Sequence, residues 1–134
     1  MGCICDNEMS ETTSDPVSVD DIRFDANGYI PVVSQDLTTG DVLFQGSMTR
    51  ETLEETLRIG EMVYWSRSRD ERWHKGATSG DIQVVREVYV NCEENTLLFK
   101  VDQQGKGACH TGNFSCYFRR VETGPFEVDR VEAE

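Results

Sequence analysis

The sequence lacks any long hydrophobic run, and this absence limits where the protein can act. No stretch of about 18 apolar residues occurs, so we predict no membrane-spanning helix and no membrane partner. The first residues have no basic segment followed by an apolar one, so we also predict no secretory signal. The expected location is the cytoplasm, where thiols stay reduced.

Basic residues are scarce in this chain. Thirteen Lys and Arg residues stand against 25 Asp and Glu residues, and the formal net charge is -12. Such a charge argues against general nucleic-acid binding, because phosphate backbones attract positive surfaces. Five basic residues nevertheless cluster between positions 58 and 75, namely Arg58, Arg67, Arg69, Arg72 and Lys75. This cluster is either an anion site or a solvated strand face.

Cysteines number only five, and an odd count argues against a complete disulfide framework. Cys92, Cys109 and Cys116 are separated by 16 and then 6 residues, which does not fit a zinc ribbon or finger. Three thiolates leave a fourth position open on tetrahedral zinc, as is typical of catalytic sites. Buried cysteines or a disulfide are the alternative. Cys3 and Cys5 lie in a polar, acidic segment, and we predict that they are not ligands.

The pattern of apolar and polar residues predicts a mainly β fold with one or two short helices. Strands are predicted at 29–36, 42–44, 62–69, 82–90, 96–101 and 116–121. Two acidic segments, residues 1–20 and 127–134, have too few apolar residues to fold and are predicted to be loose tails. The remaining residues, 21–126, form the predicted domain.

One helix is predicted over about 50–59. Thr49 can cap its N-terminus, and Gly60 stands where a helix stops. Leu53 and Leu57 are four residues apart, so we expect them on one helical face.

A pair of arginines indicates an anion site more sharply. Arg67 and Arg69 would leave one face of the predicted strand roughly 6.5–7 Å apart. Two guanidiniums at that separation can bind one phosphate, or two nearby ones, bidentately. The small-residue loop 76–80 follows, and its backbone N–H groups and hydroxyls can approach an anion.

Three segments occur in an order that resembles the phosphoribosyl-AMP cyclohydrolase family. They are Ser66–Arg69, Trp73–Gly80 and Cys109–Cys116, and the resemblance extends over about 24–121. It implies a mainly β, intertwined homodimer that acts in histidine biosynthesis. The implied reaction is the hydrolytic opening of the adenine ring of phosphoribosyl-AMP between N1 and C6.

The resemblance also implies roles for particular residues. It assigns a zinc ion to Cys92 of one subunit and to Cys109 and Cys116 of the other. Zinc activates water near neutral pH, and His110 would transfer the proton to the departing nitrogen unless it is a structural histidine. Trp73 would stack on the purine or belong to the core. The predicted substrate-binding residues are Arg67, Arg69, Trp73, Lys75, Thr78 and Ser79.

The departures from the family pattern leave a second metal site doubtful. The family's Asp-Cys-Asp-x-Asp, linked to magnesium, is here Asn91-Cys92-Glu93-Glu94-Asn95. Magnesium prefers carboxylate oxygens, so a site at Asn91, Glu93 and Asn95 should be weakened or lost. The family's Ser-Gly-His is Ser79-Gly80-Asp81, and its Ala-aromatic-Met-Asn is Gly46-Ser47-Met48-Thr49.

Three functions therefore remain open. The chain is a cyclohydrolase, for which these departures predict low activity and weak magnesium dependence. Alternatively, it is a divergent paralogue that hydrolyses a related phosphorylated N-heterocycle at zinc. The third possibility is a non-catalytic, zinc-stabilised nucleotide-binding protein. The retained cysteines and His110 favour an enzyme with a small phosphorylated nucleotide as its substrate.

Overall fold

The computed structural model describes residues 16–124, and this part of the chain is mainly β with one α-helix. The strands are β1 (Ile30–Asp36), β2 (Val42–Met48), β3 (Val63–Ser66), β4 (Glu71–His74), β5 (Gln83–Val90) and β6 (Leu97–Gln103). Helix α1 spans Arg50–Ile59, and a short 3-10 helix covers Val19–Asp21. The predicted mainly β class is confirmed. Cys3, Cys5 and the predicted tail 127–134 lie outside the described residues, as do residues 1–15.

Four strands form one sheet in the order β2-β1-β6-β5. β1 runs antiparallel to β2 and parallel to β6, while β5 and β6 form an antiparallel hairpin. β3 and β4 make a separate two-stranded hairpin. Backbone bonds anchor that hairpin to the start of β5, where the Met62 N–H donates to the Gln83 carbonyl at 3.0 Å. Across residues 16–124, no helix has the length and apolar character that crossing a membrane requires.

Helix α1 begins and ends where the sequence predicts. Thr49 and Thr52 form a reciprocal capping box, in which each backbone N–H donates to the other's hydroxyl. Gly60 closes the helix at a φ of 78°, a left-handed conformation that glycine adopts without strain.

The buried side of α1 includes a threonine. Leu53 is buried, whereas Leu57 is 46% exposed. Thr56 is buried instead. Its hydroxyl accepts the Val63 N–H at 3.0 Å and donates to the Thr52 carbonyl at 2.8 Å. A threonine can lie inside here because its hydroxyl is fully hydrogen-bonded between the helix and β3.

Two predicted strands are corrected. The strand expected at 62–69 ends at Ser66, and residues 67–70 form the turn into β4. These four residues are polar and bury no apolar face, and Asp70 takes a φ of 56°, which aspartate tolerates in turns. The segment 116–121 contains no strand. Its residues Tyr117 and Val121 are 61% and 80% exposed, so neither has a core to pack against within this part of the chain.

The core holds a buried polar network among its apolar side chains. Tyr64 donates its hydroxyl proton to Gln83 Oε1 at 2.6 Å, and Gln83 Nε2 donates to Gln103 Oε1 at 2.9 Å. Burial raises the pKa of Tyr64, so the phenol stays neutral. This network joins β3, β5 and β6 next to the apolar cluster, which contains Ile30, Val32, Leu43, Met48, Leu53, Met62, Leu97, Phe99 and Val101.

Candidate active site

A cavity of about 680 Å³ gathers most of the predicted site residues. Those in its wall are Arg69, Trp73, Lys75, Thr78, Ser79, Cys109, His110 and Cys116. Two parts of the chain that are distant in sequence meet there: the β3–β4 hairpin with the loop 75–80 that follows it, and the segment 106–116. Arg67, Cys92, Asn91, Glu93 and Asn95 do not line this cavity.

Two glycines bring the cavity loops close to their neighbours. Gly76 has a φ of 80°, and a Cβ there would lie 2.3 Å from the backbone nitrogen of Ile82. Gly107 has a φ of 135°, and a Cβ there would lie 2.4 Å from Cα of Phe114. Only glycine permits both approaches. The second one folds the segment 108–116 back on itself and brings Cys116 towards Cys109.

The thiols of Cys109 and Cys116 are close enough for each to perturb the pKa of the other. Cys109 Sγ lies 2.9 Å from Thr111 Oγ1, and this hydrogen bond is the main cause of a lowered pKa of the Cys109 thiol. Desolvation, followed by the neighbouring Cys109 charge, raises the pKa of Cys116. Cys109 therefore ionises first. Paired thiolates are soft ligands that suit zinc, so these two cysteines fit such an ion.

Cys92 lies away from this pair. It belongs to the turn that joins β5 to β6, whereas Cys109 follows the opposite end of β6. A seven-residue strand such as β6 is roughly 20 Å long. Within residues 16–124, no three His, Cys, Asp or Glu side chains are grouped so that they could hold a metal ion. One chain thus brings together two of the three predicted zinc ligands.

Residues 91–95 do not fit magnesium. Asn91 Nδ2 donates to Asn95 Oδ1 at 2.7 Å, and Asn91 Oδ1 accepts the backbone N–H groups of Asn95 and Thr96, both at 2.9 Å. Both amide oxygens are therefore occupied by N–H donors. Glu93 alone adds a carboxylate to the predicted set, and Mg²⁺ prefers several oxygen ligands in octahedral geometry. The proposed reaction does not use magnesium.

The large cavity has a positive wall. Lys75 is buried and lies 5.7 Å from the centre of the Trp73 ring. Burial lowers the pKa of Lys75, although the negative charges of Asp81 and the two cysteines oppose this effect. Lys106 also lines the cavity and was missed in the sequence analysis. Its position between two glycines was the available signal.

Asp81 fixes the backbone of the loop that carries Lys106. Its carboxylate accepts the backbone N–H of Lys106 at 2.9 Å, which is the main cause of its lowered pKa. The aspartate that replaces the family's histidine therefore orders the loop that carries Lys106.

The two arginines do not share a strand face, which corrects that prediction. Both lie in the turn 67–70 and are exposed. Arg69 lines the large cavity, with its Nη1 3.8 Å from Glu71 Oε2. Arg67 lines a neighbouring cavity of about 220 Å³, and its guanidinium lies 4.7 Å from the centre of the Tyr29 ring.

Trp73 belongs both to the core and to the cavity wall. Its ring lies 5.7 Å from Phe44 and 5.4 Å from Tyr64, and it lines both cavities. His110 is exposed in the large cavity. His74 also faces that cavity, but its Nε2 lies 2.7 Å from Glu61 Oε1.

Comparison with known proteins agrees with the resemblance in the motifs. A family model for phosphoribosyl-AMP cyclohydrolase matches residues 44–118. A phosphoribosyl-AMP cyclohydrolase of Methylibium petroleiphilum is 50% identical over 113 residues, which cover 82% of this chain and 88% of the relative. The Salinibacter ruber protein of that name is 52% identical over 116 residues, covering 87% and 90%. One from Haloarcula marismortui is 54% identical over 102 residues, covering 76% and 84%.

These matches include both hairpins, the loop 75–80 and the cysteine segment. The chain belongs to the phosphoribosyl-AMP cyclohydrolase family. The predicted resemblance is confirmed, and so is the prediction of an enzyme from this hydrolase family.

Proposed function

We propose that the protein hydrolyses phosphoribosyl-AMP, opening its purine ring between N1 and C6, as a step of histidine biosynthesis. One observation carries the proposal. The large cavity joins a thiol pair, a histidine and a positive wall, and the chain is about half identical to relatives bearing that enzyme's name. That similarity favours this reaction over a related heterocycle. The thiol pair and the exposed His110 favour catalysis over binding alone.

The reaction needs a water molecule and a proton carrier. Water adds to C6, the bond from C6 to N1 breaks, and N1 takes up a proton. His110 stands next to Cys109 in the cavity wall and can carry that proton, since an imidazole can both accept and donate a proton. Arg69 and Lys75 bind phosphate by charge-assisted hydrogen bonds, with the hydroxyls of Thr78 and Ser79 at the same wall.

Cys109 and Cys116 would hold a zinc ion together with Cys92 of a second copy. When bound, zinc supplies a water that attacks near neutral pH. The separation of Cys92 from the other two thiols supports a site that is shared between two chains, and hence a homodimer. Exposed apolar side chains on β5, which is an edge strand, support the same arrangement, because an uncovered strand edge can pair with another chain.

An absorbance assay with phosphoribosyl-AMP tests the activity, with zinc and magnesium varied separately. We expect turnover that depends on zinc and little on magnesium, because the 91–95 segment offers no magnesium site. His110→Gln should lower kcat by about 10²–10⁴-fold with zinc content unchanged.

His74→Gln is the matched control, because this histidine faces the same cavity but is engaged by Glu61. We expect it to lose far less activity than His110→Gln. Equal losses in the two variants would remove the proton-carrying role from His110. No hydrolysis of phosphoribosyl-AMP by the zinc-loaded protein would refute the proposed function.

A further inference from the structure

Two arginines that are two positions apart in the sequence differ in the cavities that they line. Arg67 lines only the smaller cavity, while Arg69 lines both. We propose that the two cavities are separate subsites for two phosphate groups of one ligand. Arg67 binds one phosphate, and Arg69 with Lys75 binds the other. This inference rests on the proposed function, since phosphoribosyl-AMP carries a phosphate on each of its two ribose arms.

The smaller cavity has the donors that a phosphate needs. Besides Arg67, its wall includes the hydroxyl-bearing residues Ser47 and Ser66. Gly46 also forms part of the wall. A Cβ there would lie 2.9 Å from the Phe44 ring and 3.0 Å from the Tyr64 ring, so a side chain has no room at this position. The cavity of about 220 Å³ suits a small anionic group.

The Tyr29 ring restricts the Arg67 side chain, and no carboxylate among the described residues forms an ion pair with it. Its guanidinium lies over the Tyr29 ring at 4.7 Å, a contact that restricts its motion and keeps its donors available. Asp25 is the nearby carboxylate, but its Oδ1 accepts the backbone N–H groups of Asn27 and Tyr29 at 2.8 and 2.9 Å. Among the described residues, Arg67 forms no ion pair.

Arg69 is also available to an anion. Its contact with Glu71 is long, at 3.8 Å, and both side chains are exposed. Its backbone N–H donates to Ser66 Oγ at 3.3 Å, which fixes the turn between the two cavities. Lys75 and Lys106 also line the larger cavity and add to its positive charge.

The two cavities lie next to each other. Phe44, Arg69 and Trp73 line both, so a ligand with two arms can extend from one cavity into the other along the Trp73 ring. Cys109 and His110 line only the larger one. The reacting carbon must therefore face the larger cavity, while one phosphoribosyl arm extends beyond Trp73 to Arg67.

Two ligands with a single phosphate separate the subsites. AMP represents one arm with the base, and ribose 5-phosphate represents the other arm. We expect each to bind the full-length wild type, as measured by calorimetry. Arg67→Ala should weaken only one of them, by about tenfold to a hundredfold, since a charge-assisted contact is lost. Arg69→Ala should weaken the other one at least as much, and Arg67→Lys should recover part of the binding.

Arg58→Ala is the control, because Arg58 is an exposed arginine that lines neither cavity, and it should change neither affinity. If both arginine variants lose affinity for the same ligand only, the two arginines bind one shared phosphate and the proposal is wrong. The proposal is also wrong if Arg67→Ala binds both ligands as tightly as the wild type does, or if the wild type fails to bind either ligand. Hydrolysis of phosphoribosyl-AMP by the wild type is measured separately, so a failure here leaves the proposed function standing.

Discussion

At the scale of single residues, Asp36 joins three parts of the sheet. It ends β1, and its carboxylate accepts the backbone N–H of Thr39 at 2.9 Å and that of Gln103 at 3.2 Å. Burial opposes its negative charge, but these hydrogen bonds prevail and lower the pKa of Asp36. Since Gln103 ends β6, the same carboxylate fixes the point from which the chain leaves the sheet for the cavity.

Asp36→Asn should destabilise the fold by about 1–3 kcal/mol near pH 7, because an amide nitrogen cannot accept one of these two bonds. A lowered pKa in the folded chain means that the carboxylate stabilises the fold above its unfolded pKa of about 3.9. That contribution is lost as the pH falls through the lower, folded pKa. Urea unfolding at pH 7 and at about pH 3 measures the difference in stability between the wild type and Asp36→Asn, which should be smaller at the lower pH.

Asp41→Asn is the control for this comparison, because Asp41 is exposed in the same hairpin turn. A stability of Asp36→Asn equal to that of the control at neutral pH would contradict the role given to Asp36.

The site residues that sequence analysis found share one property. Cys109, His110 and Lys75 lie in short motifs whose chemistry is visible locally. Lys106 and Phe44 were missed because only the folding of distant segments brings them to the cavity. Local patterns predict residue types well, but they do not predict neighbours across the fold.

At the scale of elements, the turn between β5 and β6 is closed by amides. Asn91 donates to Asn95 across the turn, and Glu94 adopts a φ of 61° between them. The Glu94 carbonyl accepts the N–H of Arg23 at 2.8 Å, so the turn is also tied to the segment before β1. These bonds hold Cys92 at the tip of the hairpin without a cation.

Changing one amide to a carboxylate should be tolerated, since the remaining Asn can still donate to it. The double variant Asn91→Asp/Asn95→Asp should instead place two carboxylates in contact. Its loss of stability should exceed the sum of the single losses by about 0.5–3 kcal/mol. Thermal melts with and without magnesium measure this, and magnesium should stabilise only the double variant.

Glu93→Gln alters the charge of the same turn without touching the bond between the two amides and serves as the control. Additive losses in the double variant, or stabilisation of the wild type by magnesium, would contradict the view that the amides replace a cation.

Elements were predicted well where one pattern dominated. The capping threonine and the terminal glycine of α1 were enough to place its ends. The polar segment Arg67–Arg69 was assigned to a strand, because a run of polar residues is compatible with the alternation of a strand. The structure makes it a turn, since Ser66 pairs with Glu71 across a hairpin that the sequence did not indicate.

At the scale of the whole molecule, the described chain does not bring the three proposed zinc ligands together. Cys92 is at one end of the β5–β6 hairpin, and the other two thiols are beyond its opposite end. β5 is an edge strand, and Tyr89 on it is 51% exposed. Edge strands with exposed apolar side chains are usually covered by a partner. The homodimer is predicted from the sequence only through the family resemblance, because contacts between chains leave no local pattern in the sequence.

A mixing experiment tests whether two chains share the zinc. Cys92→Ser alone and Cys109→Ser alone should each lose zinc and activity, because every site then lacks a thiolate. In a mixed dimer, the intact Cys92 of one chain meets the intact Cys109 and Cys116 of the other, which restores one complete site. The two variants, unfolded and refolded together, should therefore regain zinc and turnover, whereas each refolded alone should not.

The control is a mixture of Cys109→Ser with Cys116→Ser. Both changes lie on the same side of the proposed site, so no mixed dimer of these two chains contains a complete ligand set. Recovery in this mixture as well would mean that two thiolates suffice, and it would contradict a site that needs all three cysteines. If sedimentation shows that the wild type is a zinc-loaded monomer, the shared site is wrong. A shared site requires that a chelator, by removing the zinc, also promotes dissociation of the dimer.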